Sequence, residues 1–131
     1  MIGLDANVLI RFLVDDEPQQ SAQARQLLTS LTPDEPGHIN LIALVETLWV
    51  LKHHYRIPRD RIIDTIEGLL NTPALKFQCG DEIRQAVQNS RTYNIDLPDA
   101  LLMCLDINAG CTYTATFDRR ATRLPGMKLI T

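Results

Sequence analysis

"MIGLDANVLIRFLV", residues 1–14, is the stretch whose reading decides the fold. "IGLD" reads as a short buried strand ending in a carboxylate, Asp5. Val8 to Val14 continues at once as an apolar helical stretch. A strand that runs straight into a helix is the building unit of parallel sheets. Asp is also a good helix N-cap, so Asp5 has a purely structural explanation at that junction. The rest of the chain supplies a second one.

The alternation continues outward from this start. "EPQQSAQARQLLTSL" reads as a helix, with Pro18 near its start and Ala24, Leu27, Leu28 and Leu31 at helical spacing. "TPDEPG" is a loop and "HIN" a short strand. Leu41 to Tyr55 is a long apolar helix, and residues 59–71 repeat helical spacing through Ile62, Ile63, Ile66, Leu69 and Leu70. "ALKFQC" is a third strand, and Asp81 to Tyr93 a helix. Pro98 sits where the next helix can begin, and Gly110 stops it. "CTYTATF" is a fourth strand, "RRATRLPG" a helical turn and loop, and "MKLIT" a fifth strand. This pattern predicts an α/β fold, a parallel sheet of about five strands with helices on both faces. In such folds ligands bind beyond the carboxyl ends of the strands, where strand order reverses. Strands one and four are plausible neighbours there, which would set Asp5 beside Asp118.

The chain has 131 residues, enough for one domain over 1–131 with a real core. Hydrophobic residues make up 45% and charged residues 22%, which excludes a disordered chain. A net charge of -3 argues against a non-specific nucleic-acid sponge, though not against a nucleic-acid enzyme with a local basic patch. Ten of the thirteen basic residues are Arg, and they include Arg56/Arg59/Arg61 and Arg119/Arg120/Arg123. Arg suits bidentate phosphate contact, and solvated helix faces are the plain alternative. Cys79, Cys104 and Cys111 are odd in number and lack metal or disulfide spacing. With no membrane-length apolar run and no basic leader, the expectation is a cytoplasmic protein.

The carboxylates carry the chemistry. Asp118 follows strand four, and Asp96 and Asp99 bracket Pro98 at a helix start, where they could simply cap. Glu46 resists that reading, because it is the only charge in "LIALVETLWVL" and sits mid-helix. It must lie at a surface, pair with a base such as His53, or bind a cation. If the topology gathers Asp5, Glu46, Asp99 and Asp118, four carboxylates repel one another. A hard cation relieves that repulsion. Mg²⁺ or Mn²⁺ takes oxygen ligands and can activate water against a phosphodiester. Zinc spacing, a Walker A loop, GxGxxG and a nucleophile elbow are all absent.

These motifs resemble a known family. "MIGLDANVLIR" is similar to the start of a PIN domain, "LVETLWVL" to its mid-chain helical glutamate, "DLPDALL" to its third acidic motif and "TATFDRR" to its fourth. Size and wording most resemble the VapC-type toxins of bacterial toxin–antitoxin pairs. The resemblance implies a three-layer α/β/α sandwich and a Mg²⁺- or Mn²⁺-dependent endoribonuclease. It carries over Asp5, Glu46, Asp99 and Asp118 as the acidic quartet that holds metal and catalyses. Asn7 would orient Asp5, Thr116 would be the hydroxyl before the last acid, and Asp96 an accessory acid. It also implies a homodimer and inhibition by a cognate antitoxin, with no membrane. Arg119 and Arg120, directly after Asp118, are the expected guides for the RNA backbone.

Three other readings compete. A non-catalytic PIN module would bind RNA or a protein with the same cleft. A phosphoryl-transfer domain would use Asp5 as nucleophile, but Asn7 stands where a second Asp is usual. A plain α/β domain would use its acids only as caps. Trp49 and Tyr55 are expected in the core or on a dimer face, and the Leu/Ile-rich 59–71 segment, more than a single core needs, as a dimer or antitoxin surface.

Overall fold

The first strand is only two residues long. In the computed structural model, which describes residues 1–131, β1 (Ile2–Gly3) stops where Asp5 caps α1 (Ala6–Leu13). The chain falls into two compact units, Met1–Cys79 and Gly80–Thr131.

The first unit continues with α2 (Pro18–Ser30), β2 (Gly37–Ile39), α3 (Leu41–His53), α4 (Arg59–Leu70) and β3 (Leu75–Phe77). Its three strands lie in the order β1-β2-β3, all parallel. Each helix has a local cause. Pro18 opens α2, where its missing N–H costs nothing. Asn40 caps α3, its Oδ1 accepting from the Ala43 N–H at 2.8 Å. α3 then buries Ala43, Leu44, Thr47, Leu48 and Leu51. The buried Thr47 hydroxyl is satisfied by donating to the Ala43 carbonyl at 2.7 Å. α4 buries Ile62, Ile63, Ile66, Leu69 and Leu70. This corrects the expectation of a partner surface there, because those side chains form the core. Full burial of each such side chain contributes about 1.5–3 kcal/mol.

The second unit holds α5 (Gly80–Tyr93), α6 (Leu97–Asn108), β4 (Thr114–Thr116), a 3₁₀ turn (Ala121–Arg123) and β5 (Met127–Leu129). β4 and β5 pair in parallel, Thr116 opposite Leu129. Ile83, Ala86, Val87 and Ser90 line the buried face of α5. The Ser90 hydroxyl donates to the Ile95 carbonyl across a bend at Asn94, whose φ is 54°. Gly110, at φ 98°, takes the left-handed conformation that closes α6.

Every strand therefore pairs in parallel and helices connect them, as the alternation in the sequence requires. The five expected strands are all present, in ladders of three and two. β1 pairs with β2 and β4 with β5, so the expected pairing of strands one and four is not made. Two- and three-residue strands leave little backbone for further ladders. The three cysteines are free thiols.

Candidate active site

In the first unit the sheet register puts Asp5 at a strand's carboxyl end. Gly3 lies opposite His38, and the Leu4 N–H donates to the His38 carbonyl at 2.9 Å. β1 and β2 thus end together, and Asp5 and Asn40 start their helices from one edge of the sheet. The Asp5 Oδ1 accepts from the Ala6 N–H at 2.9 Å, and the residue is exposed. Asp5 is therefore a cap, and its carboxylate still faces water.

Glu46 lies about 8 Å along α3 from the helix start. It is exposed and makes no hydrogen bond or ion pair, so the desolvation cost that made it conspicuous in the sequence does not arise. Its neighbours on the outward face are Ile42, 71% exposed, Val45, 43%, and Trp49, 61%. Trp49 is therefore not a core residue; its ring packs on His53, centroids 4.9 Å apart.

The Asn7 side chain makes no hydrogen bond to Asp5. It lines an open cavity of about 310 Å³ between α1 and α2, together with Arg11, Gln20 and Gln23. Arg11 is held there by Gln20 Oε1, which accepts from Nε at 2.7 Å. Its Nη1 donates to Asp16 at 3.4 Å and to the Tyr55 hydroxyl at 3.3 Å. Tyr55 in turn donates to Asp16 Oδ2 at 2.7 Å. That bond, with some burial, raises the Tyr55 phenol above its ordinary 10.0.

In the second unit two hydrogen bonds fix the direction of α6 against β4. Thr114 Oγ1, at the start of β4, donates to Asp106 Oδ2 near the end of α6, at 2.7 Å. Arg123 Nη1, beyond the end of β4, donates to the carbonyl of Asn94, just before α6, at 3.0 Å. The helix and strand therefore run in opposite directions. The start of α6, with Asp96 and Asp99, lies at the same end as Thr116 and Asp118. Asp96 occupies the N-cap position without a capping side-chain bond, and Asp99 lies in the first turn. The Asp118 N–H donates to Thr116 Oγ1 at 3.0 Å, and Asp118 Oδ1 accepts from the Arg120 N–H at 2.9 Å. These two bonds lock the turn that carries Asp118. Arg119 and Arg120 are exposed, and neither guanidinium has an ion-pair partner.

The quartet thus divides evenly, with Asp5 and Glu46 in the first unit and Asp99 and Asp118 in the second. All its donors are carboxylate oxygens, the chemistry a hard divalent cation requires. No three His, Cys, Asp or Glu side chains are gathered closely enough to chelate one.

Two features escaped the sequence reading. One is the cavity beside Arg11, whose lining is spread between residues 7 and 27 on two helices. The other is Phe117, 82% exposed directly before Asp118. Its position beside a motif acid was the available signal.

Parallel strands joined by helices define an α/β protein. The chain belongs to the PIN domain family, whose model matches residues 2–127 and so extends across both units. PIN domains form an α/β sandwich and are generally metal-dependent nucleases. No curated protein matches the chain closely. No helix is long and apolar enough to cross a membrane.

Proposed function

We propose that the protein is a Mg²⁺- or Mn²⁺-dependent endoribonuclease, the VapC-like toxin of a toxin–antitoxin pair. The observation that supports this is the intact acidic quartet, Asp5, Glu46, Asp99 and Asp118, in family order within a PIN domain chain. Residues 1–131 would act as one domain, in the cytoplasm, as a homodimer restrained by a cognate antitoxin.

The four carboxylates would hold the cation, with Asp96 as an accessory acid. When bound, the cation would acidify a water and polarise the scissile phosphodiester. The chain's own groups do the rest. A neighbouring acid of the set would accept the water's proton, and Asp5, exposed at the start of α1, would help hold the cation. The Thr116 hydroxyl and the Arg120 N–H hold Asp118 in one orientation. Arg119 and Arg120 offer unpaired guanidinium groups to the RNA backbone. Asn7, two residues beyond Asp5, would position substrate at the α1–α2 cavity.

The test uses purified protein stripped of copurifying antitoxin, a panel of structured RNAs, Mg²⁺ or Mn²⁺, and EDTA. Cleavage that requires the metal and is lost in Asp5→Asn supports the reading. Absence of cleavage together with absence of calorimetric metal binding would instead favour a non-catalytic binding module.

A further inference from the structure

Phe117 is the most exposed large apolar side chain in the molecule, at 82%. A phenyl ring left in water is an unusual use of a residue that normally drives burial. Local geometry explains how it is held out. The Thr116 hydroxyl accepts from the Asp118 N–H, and the Thr116 carbonyl accepts from the Ile130 N–H at 2.8 Å. The backbone on either side of the ring is therefore fixed, and Phe117 sits in the bend just past the end of β4. The ring has no aromatic or cationic partner. Tyr113, the other exposed aromatic of this unit, differs, because Lys128 Nζ covers its ring at 4.8 Å.

The surroundings identify the occupant. Its chain neighbours are Thr116, Asp118, Arg119 and Arg120, all polar and three of them charged. A contact between protein copies usually centres on several apolar residues with charge at the rim. A lone aromatic among free guanidinium groups is instead the arrangement that holds single-stranded nucleic acid. The ring takes a base and the cations take phosphates.

We infer that Phe117 stacks an unpaired base of single-stranded RNA while Arg119 and Arg120 meet the flanking phosphates. The inference rests on the ribonuclease reading and adds the residue that grips the substrate beside Asp118. Stacking accepts any base, so Phe117 gives grip and register but not sequence choice.

The test measures anisotropy of a short fluorescein-labelled RNA of mixed sequence, with Ca²⁺ or EDTA to hold cleavage off. Phe117→Ala and Phe117→Leu should each weaken binding about five- to a hundredfold. Phe117→Tyr and Phe117→Trp should bind as the parent does. An oligomer with abasic residues throughout should bind parent and Phe117→Leu equally. Unchanged melting temperatures would show that every variant folds. Full affinity in Phe117→Leu would overturn the inference, since an apolar side chain without a π-face would then suffice. Equal RNA affinity in Phe117→Ala, with a dimer lost on sedimentation, would overturn it in favour of a contact between copies. If the parent cleaves RNA yet all variants bind equally, only this inference falls. If the parent neither binds nor cleaves any RNA, the ribonuclease reading falls with it.

Discussion

Thr114 and Asp106 clasp opposite ends of neighbouring elements, the hydroxyl donating to the carboxylate at 2.7 Å. That bond fixes the start of β4 against the end of α6, and so places the start of α6 level with the turn at Asp118. Thr114→Val and Asp106→Ala should each cost about 1–2 kcal/mol in urea unfolding, because each leaves its partner without a charge-assisted bond. The double mutant should lose less than the two single losses added together. Strict additivity would show that the bond carries no coupling.

Asp5→Asn and Asp99→Asn should each abolish RNA cleavage in Mg²⁺ while the melting temperature stays close to that of the parent. Asn caps a helix about as well as Asp, so the Ala6 bond at Asp5 can survive the change. What disappears is the charge. Full activity in either variant would remove that acid from the proposed machinery.

Arg119 and Arg120 have no ion pairs to lose, so replacing them should leave stability unchanged. Removing both side chains should lower the slope of log affinity against log salt by about 1.4, near 0.7 for each phosphate contact on single-stranded RNA. A slope that does not move would assign the contacts elsewhere.

Tyr55 should make stability fall at high pH. Its donation to Asp16 raises the folded pKa above 10.0, so the unfolded chain releases the proton first. The stabilising effect is complete below 10.0 and is lost as pH rises through the higher folded value. Tyr55→Phe should flatten the melting temperature across that alkaline range. An identical decline in both proteins would place the titrating group elsewhere.

The cysteines should differ in reactivity. Burial raises the Cys104 thiol above 9.0, which keeps it protonated at neutral pH, while Cys111 is exposed. Mass spectrometry after brief alkylation of native protein should find Cys111 modified and Cys104 intact. Equal labelling would mean that α6 opens readily.

The element order was legible because each helix carried its own periodicity and its own stop or start, Pro18, Asn40, Pro98 and Gly110 among them. Asp5 and Asp118 were legible by their places just past β1 and β4. Glu46 was located correctly on α3, but its apolar neighbours in sequence left open whether it lay at the surface, paired with a base or bound a cation; it lies at the surface. The helix turns Leu44, Leu48 and Leu51 inward, while Ile42, Val45 and Trp49 share the outward side with Glu46. Apolar residues spread all round a helix give no clue to which face is covered. The short strands misled the pairing of β1 with β4 for a related reason. Two or three residues carry too little alternation to specify a neighbour. Phe117 lay in a strand-like run whose end the sequence could not mark, so its exposure was invisible there.

The outward placement of Trp49 has an optical consequence. It is the only tryptophan in the chain, 61% exposed and one helical turn from Glu46. Its emission in the native protein should already lie close to that of indole in water, so denaturation should shift it little, and unfolding is better followed by circular dichroism. A blue shift would instead report that something has covered the Glu46 face. The protein thus carries its own fluorescent probe for docking at that surface.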